Sequence, residues 1–282
     1  MSVSSVTLLE IQNARESEES PLAMEQVFAA LGSVGGHQNI FQRLFGGGHA
    51  QPSHFSLEIV SVNSRIHFFL AAPDALREYL ESQLTAQYPR LLITKTSDYM
   101  EHFFTLPHAV GQLVYGNSFY LPLKTYKDIK DLDILSGVVG QFAKLPPQEA
   151  IALQIRVAPA GSGWQRSIAA MIAKGVPDPN STVGRTKQHP HARLMETKMN
   201  QVGFSAAVRL VAVAQTEDRA RQVLHASAGT FGVYTSGEGN SLVLSEPQFW
   251  QKKKFEQSFL IRGDYLRPRF QVLGASELSS LW

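Results

Sequence analysis

A tight hairpin in the first quarter of the sequence limits the folds open to this chain. The segment "HFSLEIVSVNSRIHFFLAAP" places apolar residues at alternate positions, turns at Asn63 and Ser64, and then alternates again. This pattern is typical of two antiparallel strands joined by a two-residue turn. The following segment, "PDALREYLESQLTAQYPR", has its apolar residues at helical spacing. The pattern therefore predicts an α+β fold in which a helix covers antiparallel strands.

The predicted elements follow an order that has a known architecture. From the second strand of the hairpin onward the order is strand, helix, strand, strand, helix, strand, which is the ferredoxin-like split βαβ arrangement. Residues 161–272 give a looser second version, with strands at "FSAAVRLVAVAQ" and "NSLVLSE" around a helix. We therefore predict two consecutive ferredoxin-like units with antiparallel sheets, over residues 55–160 and 161–272. The similar openings "HFSLEIVSV" and "GFSAAVRLV" are weak evidence for an internal duplication.

The two ends of the chain are predicted to lie outside these units. Residues 1–54 read as a flexible N-terminal arm that holds one helix, "PLAMEQVFAALGS", and a glycine-rich loop. At the other end, "GASELSSLW" has a candidate N-cap at Ser276 and apolar residues at helical spacing. A helix shorter than roughly 12 residues is not stable alone in water. We therefore interpret residues 273–282 as the start of a linker helix to a further, C-terminal domain.

Composition excludes several classes of protein. The 282 residues include 44% hydrophobic and 18% charged residues, as in a soluble globular protein, and no apolar run is long enough to span a membrane. The absence of cysteine excludes a disulfide scaffold and thiolate metal sites. No P-loop, G-x-S-x-G elbow or H-E-x-x-H motif occurs. We therefore expect a cytoplasmic chain that is not an enzyme and binds no cofactor or metal.

Two groups of histidines are weighed as alternatives to that expectation. His189 and His191 lie two residues apart in a proline-containing loop, and a structural role is favoured over metal binding. His102 and His108 flank the apolar segment "FFTLP", where burial beside aromatic residues is favoured over catalysis. A pocket that gathered these two histidines with Asp98 or Glu101 would favour an enzyme.

Charge is distributed unevenly along the chain. Residues 1–31 contain five glutamates against one arginine, a net of −4, and residues 250–270 contain six basic against two acidic residues, a net of +4. An acidic front and a basic back could join copies of the chain head to tail. In the second region basic residues alternate with aromatic ones, as in surfaces that contact phosphates and stack bases. A helix whose aromatic residues lie in the core and whose lysines face water is the favoured alternative. The candidate contacts for nucleic acid or a neighbouring subunit are Lys252, Lys253, Lys254, Arg262, Arg267 and Arg269.

Several segments together resemble a known family. They are "TLLEIQNARESEESPLAMEQVFAAL", "FSLEIVSVNSRIHFFLAAPDALREYLESQLTAQYP", "DILSGVVGQFAKLPPQEAIALQIRVAP", "ETKMNQVGFSAAVRLVA" and "VLGASELSSLW". The chain resembles the N-terminal region that precedes the motor domain in type IV secretion, conjugation-type coupling ATPases of the HerA/FtsK superfamily. In that family the last segment continues into the ATPase core, which carries the Walker motifs.

The resemblance implies a function that is mechanical rather than catalytic. It implies an accessory and assembly domain of a DNA-translocating ATPase, whose partners are the motor domain and neighbouring subunits of a homo-oligomer. It places the chain in the cytoplasm, at the inner face of the membrane if other segments or partners hold it there. The alternative from the residues themselves is a stand-alone nucleic-acid-binding module that uses the basic and aromatic surface of residues 250–270, with DNA as its partner.

Overall fold

The structure is a computed structural model that describes residues 6–12, 20–35, 54–129, 134–179, 181, 185–263 and 271–282. Within these ranges the side chains of residues 33–35, 75 and 102 are not described. The strands are β1 (Val6–Gln12), β2 (Phe55–Val62), β3 (Arg65–Pro73), β4 (Leu92–Lys95), β5 (His108–Tyr115), β6 (Ala150–Pro159), β7 (Val176–Pro177), β8 (Thr186–Lys187), β9 (Gly203–Val213), β10 (Leu242–Ser245) and β11 (Gln271–Gly274).

The described helices include four long ones and several shorter ones. They are α1 (Pro21–Gly35), α2 (Asp74–Gln87), α3 (Met100–Phe103), α4 (Ser136–Ala143), α5 (Gly163–Lys174), α6 (Ala192–Met199), α7 (Glu217–Gly229), α8 (Lys252–Leu260) and α9 (Ala275–Ser279). In the same described ranges, short 3₁₀ segments lie at Tyr126–Asp128, Thr230–Tyr234 and Phe249–Gln251.

The chain folds as two ferredoxin-like units, which confirms the predicted fold class. In the first unit the chain order is β1-α1-β2-β3-α2-β4, and the strands lie in the order β4-β1-β3-β2. In the second unit the chain order is β5-α4-β6-β9-α7-β10, and the strands lie in the order β10-β5-β9-β6. Both are the split βαβ arrangement, with every neighbouring pair antiparallel.

The boundaries of the two units differ from the predicted ones. The first unit starts at β1 and ends at β4, so residues 6–12 and α1 belong to it rather than to an arm over residues 1–54. The second unit runs from β5 to β10 rather than over residues 161–272. The prediction began its count at β3 rather than at β1, two strands too late, because β1 and α1 lie in the segment that was assigned to the N-terminal arm. Of the predicted glycine-rich loop, residues 32–35 belong to α1, and residues 36–53 lie outside the described residues.

The two units share one continuous sheet. The edge strand β2 of the first unit pairs with the edge strand β6 of the second, antiparallel, from Phe55 opposite Val157 to Ser61 opposite Ile151. The second unit also has an insertion, α5-β7-β8-α6, between β6 and β9, where the first unit has only the turn at Asn63 and Ser64. Strand β11 pairs antiparallel with the first residues of β9, from Gly274 opposite Gly203 to Gln271 opposite Ala206.

Apolar side chains cover both faces of this sheet. On one face, α1, α2, α4, α7 and α9 bury the main core, with Phe28, Leu80, Phe142, Leu224 and Leu278 almost fully inaccessible to solvent. The other face is covered by α3 and α8, which contribute Met100, Phe103, Phe255 and Phe259. The polar groups described next lie mainly on this second face and at the ends of the sheet.

Candidate functional site

The structure divides the predicted basic surface. Lys253 and Lys254 are exposed on α8 and carry no ion pair among the described residues. Lys252 is half-buried, its Nζ lies 3.7 Å from Glu217 Oε1, and it donates a hydrogen bond to the carbonyl of His108. Arg267 and Arg269 lie outside the described residues. The prediction is wrong for Arg262, which is 5% exposed and therefore cannot contact a partner at the surface.

Two aromatic side chains stand beside the exposed lysines. Phe249 and Trp250, in the 3₁₀ turn before α8, are 89% and 68% exposed, which is unusual for residues of this size. Their ring centroids are 6.4 Å apart and their planes are 89° apart. We call Phe249, Trp250, Lys253 and Lys254 the aromatic–lysine patch.

The buried Arg262 links three segments of the fold. Its Nε lies 2.9 Å from Glu58 Oε1 on β2, and its Nη1 lies 2.7 Å from Asp98 Oδ2 in the loop before α3. Glu58 is fully buried and also accepts hydrogen bonds from the hydroxyls of Ser56 and Tyr99. The guanidinium is thus held between two carboxylates, and the pair with Glu58 is almost fully removed from solvent.

Burial and charge set the pKa values in this cluster. Burial would raise the pKa of Asp98, but the hydrogen bond and the positive charge of Arg262 together hold it below its ordinary value. Burial and then the charge of Glu58 raise the pKa of the Tyr99 phenol well above its ordinary value. Arg262 therefore stays protonated and Tyr99 stays neutral across the physiological range, which is the behaviour of a structural ion cluster.

We expect Asp98→Asn to weaken the acid sensitivity of the fold. Because the pKa of Asp98 is lowered in the folded state, its contribution to stability is present above the ordinary value and is lost as the pH falls. The Asp98 side chain is 44% exposed, so the effect is small. The melting temperature, measured between about pH 5 and pH 2, should fall less steeply in the variant. An equal slope in both proteins would contradict the assignment.

A second buried ion pair fixes the C-terminal segment. Lys198 on α6 and Glu277 on α9 are both fully buried, and Lys198 Nζ lies 3.1 Å from the carboxylate. Glu277 also accepts the backbone N–H groups of Leu123 and Gly274, at 2.6 Å each. Burial lowers the pKa of Lys198 and the charge of Glu277 opposes that shift.

The structure places residues 273–282 differently from the prediction of a linker helix. These residues do not project as the start of a linker. Gln271–Gly274 form β11 against β9, and Leu278 and Leu281 are fully buried in the main core. Tyr234 donates a hydrogen bond to the carbonyl of Ser280, which ties this segment to the 3₁₀ turn after α7. The short helix is stable because tertiary packing compensates for its length.

Both ends of the continuous sheet are open strands. In an antiparallel pair, the backbone N–H and C=O groups of successive residues point alternately toward the partner strand and away from it. Thr96 donates its N–H to the carbonyl of Leu8, so the N–H and C=O groups of Ile93 and Lys95 point away from β1 and are unpaired on the outer side of β4. Gly116 donates its N–H to the carbonyl of Ser241, so the N–H and C=O groups of Leu242 and Leu244 point away from β5, on the outer side of β10. Within the described ranges, no other strand pairs with either edge. We call β4 and β10 the open edges.

A cavity of about 730 Å³ lies near the end of β1. Its apolar wall includes Ile11, Phe68 and Trp282, and its polar lining includes Glu10 and His67. His67 Nδ1 lies 2.7 Å from Glu10 Oε1. Strand alternation places Glu10 and His67 on the opposite sheet face from Ile11 and Phe68, so the polar pair and the apolar wall approach the cavity from different sides.

The histidines weighed as catalytic or metal-binding residues have other contacts. His108 Nε2 lies 2.9 Å from Glu256 Oε1 and its Nδ1 lies 2.7 Å from the carbonyl of Leu106, while Asp98 is taken by Arg262. The side chain of His102 is not described. The rings of His189 and His191 are 5.8 Å apart, and no group of three metal-binding side chains occurs in the ranges that the structure covers.

Two charged side chains that the fold buries, Glu58 and Lys198, were not predicted from the sequence. Glu58 lies in "HFSLEIVSV" and Lys198 in "ETKMN", and neither is among the candidate residues predicted from the sequence. The available signal for Glu58 was its position among residues that are apolar on both sides of the strand. Such a strand lies in the middle of a covered sheet, where a charge needs a buried partner.

The fold and its surfaces define an α+β protein of two ferredoxin-like units with open sheet edges. Residues 4–242 match the family described as Domain of unknown function (DUF8128), and the chain therefore belongs to that family. No curated protein matches the chain at a significant level. A crystal structure of a protein assigned as a chlorite dismutase is similar over 86% of this chain and 94% of that chain, with 9% identity and a TM-score of 0.19. That likeness carries no functional argument.

None of the helices in the described part of the chain combines the length and apolar composition that a bilayer crossing requires.

Proposed function

We propose that this chain is an assembly domain of a conjugation-type, type IV secretion DNA-translocating ATPase, and that it joins neighbouring subunits head to tail. The observation that carries the proposal is the pair of open edges, β4 and β10. An unpaired edge offers backbone donors and acceptors to another chain. The junction of β2 with β6 shows that this sheet already continues across two units by edge pairing.

Charge favours a head-to-tail contact over a two-fold one. Helices α2 and α7 cover the same sheet face, beside β4 and β10 respectively, so head-to-tail edge pairing makes them neighbours. On α2, Glu78 and Glu81 line a shallow groove beside β4, and the Glu78 side chain is 85% exposed. On α7, Arg221 and His225 are more than half exposed, although both also contact Glu246 of their own chain. Pairing two β4 edges would instead bring the glutamates together.

A complementation experiment tests this contact. Proline at Lys95 or Leu244 removes one outward N–H without removing a hydrogen bond of the internal ladder, so each variant should fold. In a head-to-tail assembly each variant loses one type of edge, and each should be a monomer alone. A mixture of Lys95→Pro and Leu244→Pro should form a one-to-one dimer, because each supplies the edge that the other lacks. Molar mass from light scattering is the measurement.

The controls separate edge pairing from other effects. Lys95→Ala and Leu244→Ala keep the N–H groups, and they should assemble as the unmodified protein does. If Leu244→Pro alone still formed a dimer, the contact would be β4 against β4 and the head-to-tail proposal would be wrong. If the unmodified protein were a monomer at all concentrations, an assembly role through these edges would be wrong.

The connection to a motor is supported by the family resemblance of the segments quoted above. It is tested by the coding sequence beyond codon 282 and by the intact mass of the protein in its host. A longer product with a Walker A lysine downstream would support the accessory role. A chain that ended at Trp282, with no motor partner in a native pull-down, would contradict it.

Nucleic-acid binding is the second candidate, and the exposed rings of Phe249 and Trp250 favour it. Two exposed lysines would release about two counterions, giving a slope of roughly −1.4 for log affinity against log salt with single-stranded DNA. A slope of this size means weak binding, so the assembly role is preferred. Titration of single-stranded DNA at several salt concentrations tests the candidate.

A further inference from the structure

The aromatic–lysine patch is held outward by a rigid support. Phe249 and Trp250 precede α8, whose Phe255 and Phe259 are buried against the sheet face. The contact of Glu256 with His108 fixes the same helix to β5. The two aromatic rings are therefore attached to a packed helix rather than to an unpacked end of the chain. A folded element presents them to a partner, so binding does not also have to order the backbone.

The charges around the patch are arranged in favour of an anionic partner. Three glutamates of the same region are held in internal pairs, Glu217 with Lys252, Glu256 with His108, and Glu246 with Arg221 and His225, while the neighbouring Asp218 is exposed. Lys253 and Lys254 have no such pair among the described residues. The patch thus combines two exposed aromatic rings with two lysines that have no ion pair within the described part of the chain.

We propose that the aromatic–lysine patch inserts into the interface of an anionic lipid bilayer. Aromatic side chains partition to the headgroup level of a membrane, where one part of the ring is apolar and the edge remains near water. Adjacent lysines are attracted to the negative surface potential of anionic lipids. The patch anchors the sheet face that carries α3 and α8 toward the membrane, and the edges β4 and β10 remain free for subunit contacts.

Two features favour a lipid surface over a macromolecule. Consecutive bases of a nucleic acid stack on roughly parallel ring faces, whereas the two rings here are 89° apart. The energetic centre of a protein interface lies in a packed pocket with a surrounding rim. Phe249 at 89% exposure has almost no surrounding surface of this kind. A bilayer interface requires neither parallel rings nor a preformed rim.

Trp250 supplies a direct signal for the test. Trp164 is buried, and Trp282 is half-buried against the main core. Trp250 is therefore the tryptophan whose fluorescence should respond most to a change in its surroundings. The chain is titrated with phosphatidylcholine vesicles that contain phosphatidylglycerol, and with vesicles that lack it. We expect a blue shift and co-sedimentation with the anionic vesicles only. Trp250→Phe should keep co-sedimentation and lose the blue shift.

Paired variants separate the contributions of charge and aromatic surface. Lys253→Ala with Lys254→Ala should lower the vesicle partition coefficient roughly 25-fold, since each lysine near an anionic surface contributes about fivefold. Phe249→Ala with Trp250→Ala should lower it by at least roughly tenfold. The matched controls are Lys144→Ala with Lys174→Ala, and Leu22→Ala, which change exposed residues elsewhere and should leave partitioning unchanged.

Three results would overturn the proposal. The first is equal partitioning of the patch variants and the unmodified protein. The second is binding of single-stranded DNA, lost in the patch variants, without any vesicle binding, which would assign the patch to nucleic acid. The third is a loss of self-association in Phe249→Ala with Trp250→Ala, which would make the patch a subunit contact. The edge-pairing experiment is independent, because it changes neither ring nor either lysine.

Discussion

Replacing Arg262 with methionine lowers the free energy of unfolding by about 3–5 kcal/mol, the range for breaking a buried ion pair. The reason is the Glu58 carboxylate, which lies at 0% exposure and loses its countercharge in this variant. Ser56, Tyr99 and Gln154 still donate hydrogen bonds to it, but they are neutral. Urea denaturation followed by circular dichroism measures the change.

The matched control combines Arg262→Met with Glu58→Gln, and it removes both charges of the buried ion pair. Arg262 has a φ of 52°, so its backbone is in the left-handed region. Methionine keeps that backbone cost, and the comparison therefore isolates the side chain. Glu58→Gln combined with Arg262→Met should recover part of the lost stability, because no uncompensated charge remains in the interior. If Arg262→Met cost less than about 1 kcal/mol, the cluster would be no more than a surface pair.

Glu277→Gln has an effect of similar size, about 3–5 kcal/mol, through a different mechanism. Both carboxylate oxygens accept a backbone N–H, Oε1 from Leu123 and Oε2 from Gly274. In glutamine one of these oxygens becomes an NH₂ group, which faces a donor whichever way the amide is turned. Lys198 also loses its countercharge in the interior. Thermal and urea unfolding measure the loss.

The pH dependence identifies the lysine as the cause. Burial lowers the pKa of Lys198 in the folded state, and without Glu277 nothing opposes that shift. Between the lowered folded value and the ordinary value of 10.5, the unfolded chain binds more protons, so stability rises with pH. The deficit of Glu277→Gln should therefore shrink toward alkaline pH. The same variant in a Lys198→Met background should show no such recovery, and a recovery there would contradict the assignment.

The sequence carried enough information for the fold class. Alternation through Phe55–Val62 and the turn at Asn63 and Ser64 specify an antiparallel hairpin. The helix Asp74–Gln87 follows from its apolar stripe. Both signals are local, so one sequence suffices to find them.

The frame of the two units could not be found in the same way. Strand β1 is a short apolar segment, Val6–Gln12, and its pairing with β3 and β4 joins residues more than 50 positions apart. No local pattern reports a pairing of that kind. The buried Arg262 was misassigned for the same reason, because its partners Glu58 and Asp98 are also distant in sequence. The exposure of Lys253 follows from the local pattern of one helix, whereas the favoured interpretation placed the aromatic residues of this segment in the core, and Trp250 is exposed in the turn before that helix.

The way the last strand and helix close the core has a consequence for synthesis of the chain. Residues 271–282 pack against β9 and against α1, which are translated much earlier. Domains begin to fold while the ribosome is still adding residues. During translation α1 therefore lacks one of its packing surfaces until α9 has left the ribosome. A nascent chain arrested before residue 271 should expose that apolar surface to chaperones, and one extended past Trp282 should not.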